Sequence, residues 1–386
     1  MRAQDLHELV RAEGLLGGEG LGGAGDGPIV AMVSGGRDSV CLLDVAVAVR
    51  GPAAVRVLHV NYGLRDEDSD ADERLVRELC ARLGVAFELV RVRADERARA
   101  GERGNLQAWA RELRYREAER LAVEVEVGGE AGEIDVSQRT LNARAYVRAR
   151  TRARVQGEMR TLIATGHTAS DQVETILYRL AASPGRRALL GMAPREGRIV
   201  RPLLGITREQ TAGYCRARGL DWREDVSNDD SLYARARVRN RLVPALRSVH
   251  PAAQRSVLRT AQLLRDEAEL LNTLVEAELG DDAAGAGVGA GGASGSGCGG
   301  EGEDGGGISI ARLSELHPAL ARLIVIRLAE DASGGYVPQA GLRVDEILAL
   351  GARGGAGEVH VGGNVAARIE GGVLRMVALP SRAPRA

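Results

Sequence analysis

Short apolar runs alternate with amphipathic stretches from residue 28 to residue 181. The runs have the length of buried strands and predict strands at 28–33, 55–60, 86–92 and 161–166. The amphipathic stretches predict helices at 38–49, 69–83, 105–124 and 170–181. This alternation favours an α/β fold, a parallel sheet with helices on both faces. Ligands bind such sheets beyond the carboxyl ends of the strands, where the segments 34–39, 59–61 and 165–167 are expected to meet.

Beyond about residue 245 the pattern becomes mostly helical. It predicts helices at 252–279, 311–332 and 339–350, and short β-like runs at 357–361 and 373–378. We therefore expect an N-terminal helix and glycine-rich linker at 1–27, an α/β domain at 28–245 and a smaller, mainly helical domain at 246–386. Residues 126–160 are expected to be an insertion. The glycine-rich segment 280–307 is expected to be a disordered loop, because it buries too little apolar surface to offset its ordering entropy.

Composition narrows the class of protein. The chain has 386 residues, 44% of them hydrophobic, and a net charge of −1, so no global field attracts it to nucleic acid or membrane. Its four cysteines, Cys41, Cys80, Cys215 and Cys298, are too far apart in sequence to form a Cys-x-x-Cys zinc or redox site. No apolar run approaches the roughly 18 residues of a membrane span. We expect a cytoplasmic protein without a membrane partner.

A glycine-rich turn joins the first predicted strand to the helix that follows it. The turn reads Ser34-Gly35-Gly36-Arg37-Asp38-Ser39. The backbone N–H groups of such a turn and the positive end of the following helix both bind phosphate. A Walker-type phosphate loop is excluded, because that loop needs a lysine and the chain has none. We expect the turn to bind nucleotide phosphates through its N–H and hydroxyl groups.

Two predicted helices carry pairs of like charges. Asp171 and Glu174 are three residues apart and therefore lie on one helix face. Paired carboxylates bind ammonium groups, and one of them can accept a proton from an attacking amine. Arg111 and Arg114 likewise share a face, and their guanidinium groups suit phosphate. The alternative for the carboxylate pair is a solvated helix face.

A run of arginines lies between residues 231 and 265, where the chain has no acidic residue. Stretches with one sign of charge give salt-dependent affinity for a phosphate backbone. The arginines expected to contact RNA are Arg235, Arg237, Arg239 and Arg241.

Several segments, in this order, resemble the tRNA(Ile)-lysidine synthetase family of the ATP-pyrophosphatase, or PP-loop, superfamily. The resemblance covers about residues 10–250. Besides the turn at 34–39, the segments are HVNYGLR at 59–65, NLQAWARELRY at 105–115, HTASDQVET at 167–175, RPLL at 201–204 and DVSN at 225–228. The α/β domain is thus expected to be a Rossmann-like PP-loop ATP-pyrophosphatase domain.

The resemblance implies a ligase that forms a carbon–nitrogen bond. In the family, ATP adenylates carbon 2 of the wobble cytidine in the CAU anticodon of isoleucine tRNA, and the amine of free L-lysine then displaces AMP. It implies that Asp38 holds Mg²⁺ against the phosphates, that Asp171 and Glu174 recognise lysine, and that Arg111 and Arg114 bind ATP or the activated intermediate. His59 and His167 are expected beside the nucleotide, with a structural histidine as the alternative for His167. A homodimer is left open.

The chain departs from the family at Tyr62, where the family usually has His, and at Ser170, where it usually has Asp. Two other functions stay open. One is a different PP-loop tRNA-modifying enzyme, a thiolase, although thiolases typically use paired cysteines. The other is a nucleotide-gated RNA-binding protein without catalysis. The intact carboxylates at Asp38, Asp171 and Glu174 argue against the second.

Overall fold

A computed structural model describes the chain at residues 3–17, 27–64, 67–102, 106–126, 161–182, 186–224, 234–286, 307–354 and 357–379. Internal contacts divide it into Met1–Gln262 and Leu263–Ala386. The division falls later than the boundary expected at 245/246. The reason is that Leu246, Val257 and Leu258, which follow that boundary, pack against the cluster that contains Val173 and Leu177 of the first unit.

The first unit contains a six-stranded sheet. Its strands are β1 (Ile29–Met32), β2 (Val55–Asn61), β3 (Ala86–Arg91), β4 (Leu162–Thr165), β5 (Arg195–Glu196) and β6 (Ile199–Val200). They are ordered β3-β2-β1-β4-β6-β5, and all neighbours are parallel except the edge pair β5 and β6. The predicted parallel sheet is confirmed, with one short antiparallel edge strand added.

Helices cover both faces of this sheet. They are α1 (Ala3–Ala12), α2 (Arg37–Arg50), α3 (Glu67–Leu83), α4 (Ala94–Glu102), α5 (Leu106–Glu126), α6 (Ala169–Ala182), α7 (Arg186–Leu189), α8 (Arg208–Ala217), α9 (Ala234–Arg237) and α10 (Val243–Val249), with a π-helix at Val238–Leu242. Alternate residues of β1 enter different cores: Ile29 and Ala31 pack with α2 and α3, whereas Val30 and Met32 pack with α5. Burial on both faces explains why β1 reads as one continuous apolar run.

The second unit combines helices with a small antiparallel sheet. Its elements are α11 (Ala253–Ala286, which begins in the first unit), β7 (Gly307–Ser309), α12 (Ile310–Glu315), α13 (Pro318–Ser333), a 3₁₀ helix (Pro338–Arg343), α14 (Val344–Ala352), β8 (Gly357–Gly362), β9 (Val365–Glu370) and β10 (Val373–Ala378). The sheet order is β7-β10-β9-β8. No described helix has the length and apolarity that crossing a membrane requires.

Three expectations for the second unit need correction. The helix predicted at 311–332 is two helices, because Pro318 cannot continue the first and instead opens the second. Strands β7 and β9 were not predicted. Helix α11 extends to Ala286, into the loop expected at 280–307, since the segment Asp281–Ala284 has no glycine and alanine favours helix. Residues 287–306, like 127–160 of the expected insertion and the segment 225–228, lie outside the described residues.

Candidate active site

The turn between β1 and α2 is held in shape by its two serines. Ser39 Oγ donates a hydrogen bond to the Gly36 carbonyl at 2.8 Å and accepts one from the Ser34 N–H at 3.1 Å. Gly35 has φ of +92°, a conformation that favours glycine. Helix α2 starts after Gly36 without a side-chain cap, so its first N–H groups remain available to an anion.

The end of β4 lies directly against this turn. A Cβ atom on Gly166 would come within 3.1 Å of the Asp38 carbonyl group and of the Ser39 nitrogen. Only glycine allows so close an approach of two backbones. Gly166 thereby brings the segment after β4, with His167, next to the start of α2.

A cavity of about 630 Å³ opens beyond the carboxyl ends of β1, β2 and β4. The turn forms its floor. Two further groups of residues lie at this cavity, which we call the carboxylate side and the arginine side, and all their members line it except Glu174. The carboxylate side consists of Asp38, Asp171 and Glu174 with Arg208 and Arg239; the arginine side consists of Arg111, Arg114 and Arg235 with Tyr115.

Arg208 connects the three carboxylates. It is the first residue of α8; its Nη1 donates to Glu174 Oε1 at 2.8 Å, its Nη2 donates to Asp171 Oδ1, and its Nε lies 3.6 Å from Asp38 Oδ2. Burial alone would lower the pKa of Arg208, but the three carboxylates raise it above its usual value. The guanidinium group is therefore permanently charged and lies at the centre of the carboxylate side.

Glu174 lies behind two arginines. Arg239 binds it with two hydrogen bonds, Nε to Oε1 at 2.8 Å and Nη2 to Oε2 at 3.1 Å, and Arg208 also binds Oε1. The Glu174 side chain is 6% exposed and is absent from the cavity lining, whereas Arg208 and Arg239 line it. The arginines therefore separate Glu174 from the cavity.

Asp171 has a second set of partners. Its Oδ2 accepts hydrogen bonds from the Thr168 N–H at 2.9 Å and from Thr168 Oγ1 at 2.8 Å, which caps α6. Burial would raise the pKa of Asp171, but Arg208 and Thr168 hold it below its usual value. The side chain is an anion at neutral pH and a weak base.

Asp38 is positioned by α8. Thr211 Oγ1 donates to Asp38 Oδ1 at 2.5 Å, and Arg37 Nε donates to the same oxygen at 3.3 Å. Asp38 lines the cavity, and its side chain is 21% exposed. Oδ2 faces Arg208 at 3.6 Å, beyond direct hydrogen-bonding distance.

The arginine side has no carboxylate partners among the described residues. The guanidinium group of Arg111 lies 4.9 Å from the centre of the Tyr115 ring, and that of Arg114 lies 6.0 Å from it. Burial and the nearby charges of Arg114 and Arg235 lower the pKa of Arg111. Within the described parts of the chain, Arg114 Nε is buried without a hydrogen-bond partner. Grouped and unpaired guanidinium groups of this kind form a site for an anion.

A family model described as a PP-loop domain matches residues 24–131 and 124–246, which is more than half of the chain. The chain belongs to the PP-loop family. A tRNA(Ile)-lysidine synthase from Thermus thermophilus is 39% identical over 256 residues, covering 66% of this chain and 43% of that protein. The tRNA(Ile)-lysidine synthase of Dehalococcoides mccartyi is 30% identical over 346 residues, covering 86% of this chain and 62% of that protein.

This chain thus spans roughly half the length of these curated relatives, 43% of one and 62% of the other. Among solved structures, the U34-tRNA thiolase NcsA from Methanococcus maripaludis matches with a TM-score of 0.48 and 16% identity, over 68% of this chain and 79% of that chain.

The two predicted histidines occupy different places around the PP loop. His167 lines the cavity, where its Nδ1 lies 2.7 Å from Thr165 Oγ1; burial lowers the pKa of His167 to about 4, so the ring is neutral at pH 7. His59 is buried and does not line the cavity. Its Nδ1 donates to the Val33 carbonyl at 2.8 Å, which fixes the strand end just before the PP loop.

The four arginines expected to contact RNA divide between two helix faces. Arg235 and Arg239, one turn apart, line the cavity. Arg237 and Arg241 are exposed and do not line it. The structure therefore brings Arg239 to Glu174 and leaves Arg237 and Arg241 on the outer surface.

Sequence reasoning missed Arg208 and Thr211, and it placed Gly166 at a strand end without its close approach to α2. A signal for Arg208 was present: Thr207 and Gln210 form a capping box that fixes the start of α8 at Arg208. A positive side chain in the first turn of a helix opposes the helix dipole. An arginine at that position therefore indicates carboxylate partners elsewhere in the fold.

Proposed function

We propose that this chain is a tRNA(Ile)-lysidine synthase, an ATP-dependent ligase. The cytidine oxygen at carbon 2 attacks the α-phosphorus of ATP and releases pyrophosphate. The amine of free L-lysine then attacks carbon 2, loses a proton, and AMP leaves with the oxygen to give lysidine. The resemblance to relatives of that name supports this proposal. The observation that carries it is one PP-loop cavity with both a carboxylate side and an arginine side that has no carboxylate partners among the described residues.

The PP loop is the proposed site of the ATP phosphates. Its free N–H groups at the start of α2, the Ser34 hydroxyl group and the Arg37 side chain face the cavity. Asp38 fits Mg²⁺, since it is an oxygen ligand on the cavity wall with Oδ2 outside direct hydrogen bonds. Bound with the phosphates, Mg²⁺ would neutralise charge on the leaving pyrophosphate. No cluster of three His, Cys, Asp or Glu ligands occurs among the described residues. Phosphate and water oxygens would supply the other ligands of a Mg²⁺ ion held by Asp38.

The carboxylate side is the proposed site of the lysine amine. Asp171 and Glu174 are anionic partners for an ammonium group. Because Arg208 and Thr168 keep the pKa of Asp171 low, Asp171 is better suited to binding the ammonium than to removing its proton. His167, neutral and beside Asp171, is a hydrogen-bonding group for the nucleotide or the cytosine.

The arginine side is the proposed binding site for the negative charges of ATP or the adenylated intermediate and of RNA. Arg111 and Arg114 face the cavity without carboxylate partners among the described residues and would bind ATP or the adenylated intermediate. Arg235 would contact RNA at the cavity, and Arg237 and Arg241 would contact it on the outer surface. Arg239, bound to Glu174, would act inside the cavity.

The proposal is tested by incubating the protein with labelled L-lysine, ATP, Mg²⁺ and an isoleucine tRNA transcript that bears a CAU anticodon. We expect lysine to enter the RNA with release of AMP and pyrophosphate. A transcript with a UAU anticodon is the control and should accept none. Binding of the CAU transcript without turnover would instead identify a nucleotide-gated RNA-binding protein. The described cysteines do not favour a thiolase, since Cys41, Cys80 and Cys215 are buried and none of these three lines the cavity.

A further inference from the structure

Arg208 is bound to both carboxylates that are proposed above to bind the substrate ammonium. Glu174 is separated from the cavity by Arg208 and Arg239, and both of its oxygens already accept hydrogen bonds from these arginines. An ammonium group entering from the cavity therefore reaches Glu174 only after one arginine has moved.

Asp171 is occupied in the same way. Thr168 fills both acceptor positions of Oδ2, and Arg208 holds Oδ1. The Thr168 bonds belong to the cap of α6 and move only if that helix end unfolds. Arg208 is thus the partner that both carboxylates share and that a side-chain rotation can remove.

A second binding position for the Arg208 guanidinium group lies beside the PP loop. Its Nε lies 3.6 Å from Asp38 Oδ2, at the start of the helix that follows the PP loop. A polyphosphate bound at that helix end would lie within reach of the same guanidinium group and attract it. Arg239 differs, since within the described residues its guanidinium group bonds to Glu174 and forms no ion pair with Asp38.

We propose that Arg208 is a positioning residue that couples the nucleotide to the amine: ATP draws its guanidinium group from Asp171 and Glu174 to the phosphates and so opens the amine site. ATP then binds before lysine. The identity of the amine as lysine rests on the proposed function. The movement of Arg208 rests on the geometry alone.

Isothermal titration calorimetry with L-lysine, with and without αβ-methylene-ATP and Mg²⁺, tests the coupling. In the unaltered protein the analogue should tighten lysine binding about tenfold or more, within the usual range of coupling between sites. Arg208→Gln should bind lysine equally with and without the analogue, and should bind the analogue more weakly. Arg216→Gln, an exposed arginine on the same helix, is the matched control and should behave as the unaltered protein. Thermal unfolding confirms that each variant is folded.

The coupling would be overturned if the unaltered protein bound lysine equally tightly with and without the analogue. It would also be overturned if the analogue still tightened lysine binding in Arg208→Gln. If neither protein binds lysine in any state, lysine is the wrong amine and the proposed function fails. The proposed movement of Arg208 is then tested by the affinity of the variants for αβ-methylene-ATP alone. Weaker analogue binding in Arg208→Gln than in Arg216→Gln supports its transfer to the phosphates, and equal binding overturns it.

Discussion

The carboxylate side and the arginine side of the cavity differ in how their charges are balanced. Asp38, Asp171 and Glu174 are bridged by Arg208, and Glu174 is also held by Arg239. The arginine side has no such compensation within the described residues, and burial together with the charges of Arg114 and Arg235 lowers the pKa of Arg111. Removing one member of a buried ion pair leaves an uncompensated charge and destabilises the fold, whereas a group of like charges favours a ligand of opposite charge. The two sides should therefore respond differently to mutation.

The largest effect on stability is expected on the carboxylate side. Glu174→Gln keeps the shape of the side chain but leaves Arg208 and Arg239 without their shared counter-charge. Breaking a buried ion pair from one end costs about 3 kcal/mol of unfolding free energy. Urea unfolding measures it, with Glu112→Gln, an exposed residue of α5, as the control. A loss no larger than that of the control would show that the pairs do not stabilise the fold.

The arginine side should show the opposite behaviour. Arg114→Gln removes a partly buried charge whose Nε has no partner among the described residues, so the unfolding free energy should stay within about 0.5 kcal/mol or rise. The affinity for αβ-methylene-ATP should fall about tenfold, the value of one charge-assisted hydrogen bond. Urea unfolding and calorimetry measure the two quantities. A destabilised protein with unchanged nucleotide affinity would reverse the assignment of this side.

A smaller effect tests whether the arginine side continues outside the cavity. We plot log K for tRNA binding against the logarithm of the salt concentration. Replacing both Arg237 and Arg241 with Gln should make this negative slope shallower by about two, one for each phosphate group that is no longer neutralised. The double variant Arg82→Gln/Arg216→Gln removes two exposed arginines elsewhere and is the control. An unchanged slope would place the RNA surface on other residues.

A pH-dependent effect is expected from His167, which lines the cavity. Burial lowers its pKa to about 4, Asp171 opposes that shift, and the arginines add to it. The unfolded chain therefore binds more protons than the folded one between about pH 4 and pH 6.5, and the unfolding free energy falls as pH falls through this range. His167→Gln should make this dependence shallower, while His360→Gln, an exposed histidine, should leave it unchanged. Buried His59 keeps part of the slope, because burial lowers its pKa as well.

The strands and helices of the first unit were predictable because each carries its own local signal. The apolar run before Ser34 and the glycines after it mark β1, the PP loop and α2. The rule that parallel strands bind ligands at their carboxyl ends then brought Asp38 and Asp171 to one cavity. The same rule could not predict on which face of the sheet His59 lies, because a strand buried on both faces does not alternate between apolar and polar residues.

Pairings between distant segments were not predictable. Arg208 meets Glu174 because the chain reverses after β6, and no periodicity records that reversal. In the second unit, where the runs at 357–361 and 373–378 match β8 and β10, strands β7 and β9 were missed for a different reason. Strand β9 is flanked by glycines, although Gly371 and Gly372, both with positive φ, give the turn signal that joins it to β10.

The most direct test of the two-sided cavity is one calorimetric comparison of Asp171→Asn with Arg111→Gln. Each variant is titrated with αβ-methylene-ATP and then, at saturating analogue, with L-lysine. We predict that Asp171→Asn weakens lysine binding about tenfold and leaves the affinity for the analogue within about twofold, and that Arg111→Gln does the reverse. Two variants that weaken the same ligand, or both ligands equally, would contradict the division of the cavity into an amine side and a phosphate side.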